Sequence, residues 1–262
     1  MEAGQTDSKR FEAHREFLKG SARKQVDSTQ TAQAMHMPAP PLQKPCAADA
    51  VVVELLDGAQ SLTRVANVPL SAAIIRRESV REFANAEFSL EELSAILWST
   101  QGIRKTTSSH TALRTVPSAG ARHAFETYIV VRRVEGLSTG LYRYLPVDHK
   151  LEQVKLDEQI SIKAAAACLG QIFVATAPLA LFWTVIPERM EWRYDLAAHK
   201  ILAIDVGHVC QNLYLVSTAL GAGTCAIAAY DQKACDDLLG VDGNEEFTIY
   251  VAPIGRLTDD RP

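Results

Sequence analysis

Six apolar residues, Leu202, Val206, Val209, Leu213, Val216 and Leu220, step along the chain by 4, 3, 4, 3 and 4. That is the a/d stripe of an amphipathic helix, and Gly221 supplies its stop. The spacing predicts one helix over about residues 192–220. Small residues Ala203, Cys210 and Ser217 lie beside the stripe at spacings of seven, which admits close approach of another element. So long an apolar stripe needs partners, and the chain offers strands. ETYIVVRRV at 126–134 and APLALFWTVI at 177–186 read as buried strands, and FTIYVAPIG at 247–255 as a final strand. GLYRY and KLEQV, separated by LPVDH, read as a hairpin, and TCAIAAY as a further strand. Helices are expected through AAAACLG and over DQKACDDLLG. Hairpins mixed with helices give an α+β class rather than a strict βαβ alternation.

The first 68 residues differ in kind. From Ser8 to Gln33 they are charged and polar, with one short amphipathic piece at Phe11, Phe17 and Leu18. Four prolines between Pro38 and Pro45 then impose an extended path. We read residues 1–68 as an arm laid over a core domain of residues 69–262; the other reading is a partly disordered tail. In the core, Leu70, Ile74 and Ile75 mark a short helix. Ser89 and Glu92 form a capping box for a helix that stops at Gly102, with Phe88 placed to staple Leu93.

Composition removes several function classes. The chain has 262 residues, 47% hydrophobic and 22% charged, with net charge −4, which is a globular composition. It lacks the basic excess that nucleic-acid binding needs. No apolar run reaches the roughly 18–20 residues of a membrane span. The polar opening residues lack the apolar stretch of a secretory signal. Five cysteines, Cys46, Cys168, Cys210, Cys225 and Cys235, with no CxxC, read as free thiols in a reducing cytoplasm. No metal-ligand spacing, phosphate-binding P-loop or serine nucleophile elbow occurs. GAGTCA at 221–226 lacks the third glycine of a dinucleotide fingerprint and follows a helix, where the fingerprint needs a strand. This silence suits a chain whose bound cofactor carries the reactive atoms.

Four segments carry candidate chemistry. In RRESVREF (76–83) an extended backbone puts Arg77, Ser79 and Arg81 on one side, either as a phosphate or ribityl clamp or as a solvated charged strand. Pro117, Ser118, Ala119, Gly120 and Ala121 form a small-residue loop that lets backbone approach a flat ligand, or an ordinary turn. Gly221 to Asp231 is a second small-residue run, and Gly255-Arg256 closes a strand with an arginine.

Taken in order, RRESVREF, SLEELSAILWSTQG, PSAGA, ETYIVV, GLYRY, DVGHVCQNLYL, LGAGT and PIGR resemble the pattern of the FMN-dependent nitroreductase family. The branch is the one that includes azoline dehydrogenases of ribosomal peptide modification, down to the Pro-rich lead-in TQTAQAMHMPAPPLQKP. The resemblance implies an α+β fold around a mixed central sheet flanked by helices, with a long central helix, and FMN held at a homodimer interface. It places Arg77, Ser79 and Arg81 on the phosphate and ribityl chain, with Arg256 beside Gly255 as a second charge. It sets the loop Pro117, Ser118, Ala119 and Gly120 at the ring, and the backbone of Ala226, Ile227, Ala228 and Ala229 near its hydride-accepting atom.

The chain also departs from the pattern. Glu78 replaces a basic or imidazole side chain, so it is expected to turn away from the phosphate. His123-Ala124 replaces an aromatic-proline pair, and Ala228-Ala229 replaces polar or glycine residues. Where azoline dehydrogenases carry Lys-Tyr, this chain has Arg193-Tyr194. Arginine stays protonated and is no general base, whereas Tyr194 remains a proton donor. The expected activity is therefore hydride transfer from NAD(P)H through FMN to an oxidised small molecule of nitroaromatic or quinone type. The alternatives are azoline-to-azole oxidation of a peptide, and a flavin-binding or apo interaction module without turnover.

Overall fold

Why the long stripe is buried becomes clear from the order of elements in the computed structural model, which describes residues 10–108 and 110–258. The part of the expected arm before residue 10 lies outside the described residues. An exposed helix α1 (Glu12–Leu18) precedes the proline segment. Then come β1 (Val52–Glu54), α2 (Gly58–Val65) and α3 (Leu70–Arg76). Next is α4 (Leu90–Gln101), with both halves of the capping box formed: Ser89 Oγ accepts the Glu92 N–H at 3.2 Å, and Glu92 accepts the Ser89 N–H at 3.0 Å. A polar hairpin, β2 (Ile103–Ser108) and β3 (Thr111–Arg114), follows; alternation in the sequence did not mark it. β4 (Phe125–Val131), β5 (Gly140–Leu145) and β6 (Lys150–Leu156) are followed by α5 (Ile160–Ala167), α6 (Ile172–Thr176) and β7 (Leu179–Val185).

The helix expected from residue 192 is broken. α7 (Glu188–Tyr194) ends at Asp195, whose φ of +48° cannot continue a helix, and α8 (Ala198–Ala219) carries the stripe. β8 (Ala222–Thr224), α9 (Gln232–Leu239) and β9 (Phe247–Arg256) complete the chain. The strand expected over TCAIAAY thus starts earlier and is shorter. Beyond Thr224 only Ile227 pairs, through a bridge to Val251.

Among the described residues seven strands make one sheet in the order β1-β6-β5-β4-β7-β9-β8, every ladder antiparallel, and parallel pairing is confined to the single bridges Ser79–Thr224 and Phe88–Val134. The period of two in β7 sends Leu179, Leu181, Trp183 and Val185 into the core shared with α4 and α8, and Ala180 and Phe182 into the core shared with α5 and α9. Helices therefore cover both faces. β1 and α2, although they precede residue 69, belong to this body: β1 extends the sheet edge through β6, and α2 packs on α4.

The proline segment is tied down by buried charge. The Arg143 guanidinium donates to the Lys44 and Pro45 carbonyls at 3.0 and 2.7 Å and bridges Glu126 and Glu152. Glu126 in turn accepts the Lys44 N–H at 2.8 Å and pairs with Arg189. The Lys44 ammonium reaches Glu246 at 2.6 Å.

Candidate active site

Extended geometry over residues 77–81 sorts the clamp segment as its alternation predicts. Arg77 lies over the Tyr214 ring, 5.3 Å from its centroid, and Ser79 Oγ hydrogen-bonds the Tyr214 hydroxyl at 2.9 Å. Residues of the other parity, Arg76, Glu78 and Val80, line a small cavity of about 140 Å³ with Thr218 and residues 221–223. Arg81 is exposed. The segment is held by close backbone approach. A Cβ on Gly223 would sit 2.4 Å from Val80, and one on Gly255 would sit 2.5 Å from the Phe83 ring. Both glycines are there to seat this strand, a packing role that their motifs alone do not reveal.

The PSAGA loop is a strained turn fixed from below. Gly120, Ala121 and His123 have φ of +58°, +53° and +46°, a left-handed region that costs about 1–2 kcal/mol per non-glycine residue. Asp205 on α8, buried, accepts the Ala119 N–H at 3.1 Å, and Ser118 Oγ accepts the His123 N–H at 3.0 Å. Burial raises the Asp205 carboxyl above its ordinary value, against the lowering effect of Ser118, the Ala119 N–H and His208. Arg193 and Tyr194 close over the loop: a Cβ on Gly120 would meet Arg193 Cδ and Nε and the Tyr194 hydroxyl, each at 2.8 Å. The structure thus brings together the loop and the Arg193-Tyr194 pair, which are far apart in sequence. Beside the loop lies a cavity of about 590 Å³ between α4, α8 and the β2–β3 hairpin.

Other expected site residues are placed differently. Arg256 is already engaged: it pairs with Glu92, donates to the Leu220 carbonyl at 2.7 Å and stacks on Phe88 at 4.6 Å. The Ala226 N–H donates to the Tyr214 hydroxyl at 3.0 Å, and the Ile227 N–H to the Val251 carbonyl at 2.7 Å. Ala228 and Ala229 are exposed. Of the small residues beside the stripe, Cys210 and Ser217 are buried; the exposed side of α8 shows Ala203, Ile204, Gly207, His208 and Gln211.

Tyr214 and Asp205 were not singled out from the sequence, though both lie within DVGHVCQNLYL. Tyr214 joins three pieces: Arg77, Ser79 and Ala226. Asp205 holds the loop. They stand nine residues apart on α8, about 13 Å along the axis and about 180° around it. One chain therefore presents the clamp and the loop on opposite sides of the same helix.

The family model that matches residues 74–256 is that of the nitroreductase family. The chain belongs to that family. This nitroreductase-family chain is 34% identical over 195 residues to MJ1384 of Methanocaldococcus jannaschii, a relative named for the same family, covering 74% of this chain and 94% of that one. It is 28% identical to the trifolitoxin-processing protein TfxB of Rhizobium leguminosarum over 134 residues, 49% of this chain and 36% of TfxB. Among solved structures, a nitroreductase-family protein of Ralstonia eutropha superposes with a TM-score of 0.65 at 25% identity, covering 85% of this chain and all of that one. The Escherichia coli microcin synthetase McbBCD complex shares the fold, with a TM-score of 0.60 at 18% identity over 89% of this chain and 83% of the matched chain. The family makes this an oxidoreductase in the general sense, built on an α+β fold.

Proposed function

We propose that the chain is an FMN-dependent oxidoreductase that takes hydride from NAD(P)H and passes electrons to an oxidised small molecule of nitroaromatic or quinone type. The observation that carries this reading is the Tyr214 cluster. One phenol joins Arg77, Ser79 and the Ala226 N–H. Among the described residues Arg77 has no carboxylate partner, so its guanidinium fork is available for a phosphate, the group it matches best. When bound, the flavin would supply hydride acceptance and donation. The chain's part is to hold the phosphate with Arg77, Ser79 and Arg81, to present the Ala228 and Ala229 backbone to the ring, and to place Tyr194 as a proton donor. Arg256, spent on Glu92 and Leu220, serves this reading by fixing the end of α8 beside the clamp.

The working unit in this reading is a homodimer. Clamp and loop lie on opposite sides of α8, and the exposed stripe Ala203, Ile204, Gly207, His208 and Gln211 fills the arc between them. A second copy seated on that stripe sets its loop against this clamp. Leu70, Ile74 and Ile75 of α3, which are 65%, 57% and 81% exposed, give the same face an apolar margin. The five unpaired cysteines suit a reducing cytoplasm.

The test begins with the visible spectrum of the purified protein and mass spectrometry of the released cofactor, where FMN is expected and a colourless protein overturns the reading. Arg77→Ala should weaken FMN binding about ten- to a hundredfold, since charge-assisted contacts contribute about 1.5–3 kcal/mol each. Arg76→Ala, on the other side of the segment, should do much less, and equal losses would show that the clamp is misread. Stopped-flow reduction by NADPH and NADH is expected. Reduction by an azoline peptide and by neither nicotinamide would instead favour peptide oxidation; the relative TfxB is named a trifolitoxin-processing protein.

A further inference from the structure

The cavity of about 590 Å³ beside the PSAGA loop has in its wall a buried cation that no carboxylate among the described residues contacts. Arg114, 2% exposed, gives its terminal nitrogens to two neutral acceptors, Gln101 Oε1 at 2.9 Å and the Leu42 carbonyl at 2.7 Å. Its Nε has no partner, and no carboxylate among the described residues forms a salt bridge with it. Glu126, the carboxylate whose charge acts on it, is already bridged by Arg143 and Arg189. The carboxylates of the buried network nearby are taken by other cations, Glu126 and Glu152 by Arg143 and Arg189 and Glu246 by Lys44, so Arg114 is the buried cation there without an ion pair of its own. A buried charge without a direct partner is costly, and an anion placed against it would offset that cost.

The remaining wall favours the same partner. Arg104, exposed at the rim, spends its Nε on the Arg114 carbonyl at 3.0 Å, and its two terminal nitrogens make no hydrogen bond among the described residues. His123, buried in the wall, is held neutral, its pKa pushed down to about 3 by burial and by Arg114. It adds polarity without charge. Trp98 and Leu113 give the cavity an aromatic and an aliphatic surface. A volume of this size lies in the range of small-molecule pockets, roughly 300–1,000 Å³.

We propose that this cavity binds a small aromatic monocarboxylate, its charge paired with Arg114 and Arg104 and its ring against Trp98 and Leu113. The proposal deepens the oxidoreductase reading by naming the class of acceptor. It rests on that reading for the link to turnover and not for the binding.

The test uses 4-nitrobenzoate and its neutral methyl ester as probes on the purified protein with its natural cofactor content. Nitroaromatics quench tryptophan emission, so Trp98 reports occupancy, with Trp98→Phe as the control for the signal's origin. The acid is expected to bind about ten- to a hundredfold more tightly than the ester, the fold-change of one charge-assisted pair. Arg104→Gln, on an exposed side chain, should remove much of that preference without unfolding the protein. Arg114→Lys keeps the charge but not the fork, and should reduce the preference several-fold. Equal affinity for acid and ester overturns the proposal, as does an acid preference untouched by both arginine variants or quenching that persists in Trp98→Phe. Binding seen only after the flavin is stripped also overturns it, because the cavity would then belong to the cofactor. A protein that carries no flavin yet prefers the acid would sink the oxidoreductase reading alone, so the two failures are distinguishable.

Discussion

Tyr214→Phe is the sharpest probe of how the site is assembled, because it removes one oxygen and keeps the ring. The stacking of Arg77 at 5.3 Å survives the change. What is lost is the hydroxyl, which accepts the half-buried Ala226 N–H at 3.0 Å and shares a hydrogen bond with Ser79 Oγ at 2.9 Å. Ser79 is exposed, so its hydroxyl turns to water at little cost. The Ala226 N–H is half-buried, and leaving such a donor unpaired costs up to about 1–3 kcal/mol. At about 2–4 °C per kcal/mol for a chain of this size, the melting temperature should fall by about 2–12 °C. The loss should also be local. Amide hydrogen exchange at Ala226 should speed up, while Val251, whose N–H donates to the Ile227 carbonyl, keeps its protection. In the proposed reading FMN affinity drops, but by less than in Arg77→Ala, because the positive charge remains. A variant with unchanged melting temperature and a still-protected Ala226 amide would show that the phenol does not join the clamp to the 226–229 backbone.

Three other changes test separate parts of the structure. Gly120→Ala forces a Cβ into a left-handed turn and against the flexible ends of Arg193 and Tyr194, so chemical denaturation should show a loss of about 1–2 kcal/mol; no loss would mean that the turn is not strained. Asp205 keeps its proton to higher pH in the folded chain than the ordinary value of 3.8. Between that value and the raised one the native state binds more protons, so this group's contribution to stability, full below 3.8, is lost as pH rises. The amide of Asp205→Asn does not titrate, so the stability of wild type relative to that variant should fall with rising pH across the window, and parallel curves would reject the assignment. Arg143→Met strips the partner from Glu126 and Glu152 and from the Lys44 and Pro45 carbonyls. Breaking a buried pair on one side costs about 3–5 kcal/mol, and limited proteolysis should begin to cut residues 38–47. An unchanged digestion pattern would show that this network does not hold the segment.

Local signals in the sequence translated into structure where the cause was itself local. The capping box at Ser89 and Glu92 needs only residues three apart, and the left-handed stop at Gly221 needs only a glycine. The buried strands announced themselves because both faces of the sheet are covered. Where the cause is tertiary, the reading failed or was incomplete. The β2–β3 hairpin is polar and mostly exposed, so it carries no alternation to detect. Cys210 shares a spacing with Ala203, yet seven residues on a straight helix drift by about 20°, enough to carry it into the core. Gly223 and Gly255 look like ligand-approach glycines in a motif, and only the positions of Val80 and Phe83 show what they admit. Arg256 reads as a free cation until Glu92, 164 positions earlier, is found beside it.

The same distinction bears on why the site is divided. A helix presents every direction to its surroundings, and α8 uses three of them. The stripe from Leu202 to Leu220 is buried against the sheet and α4. Asp205 and Tyr214 flank that buried side, each reaching out to fix a segment that no strand holds: the PSAGA loop in one case, residues 77–79 in the other. The remaining arc carries Gly207, where a Cβ would meet nothing within 4 Å, and Ile204, which is 49% exposed. In a lone chain this arc would leave apolar surface in water between two half-sites. In the proposed reading a second copy covers it and closes both half-sites at once, because a two-fold axis through that arc would set each loop against the other chain's clamp. Substituting Gly207 by a bulky residue therefore separates the two ideas. Gly207→Leu should leave the folded monomer intact, since its Cβ points into open space, while weakening dimerisation and, in the proposed reading, FMN retention together. Light scattering and the flavin spectrum measure the two in parallel. A monomer that still holds a full complement of flavin would show that the site is complete within one chain.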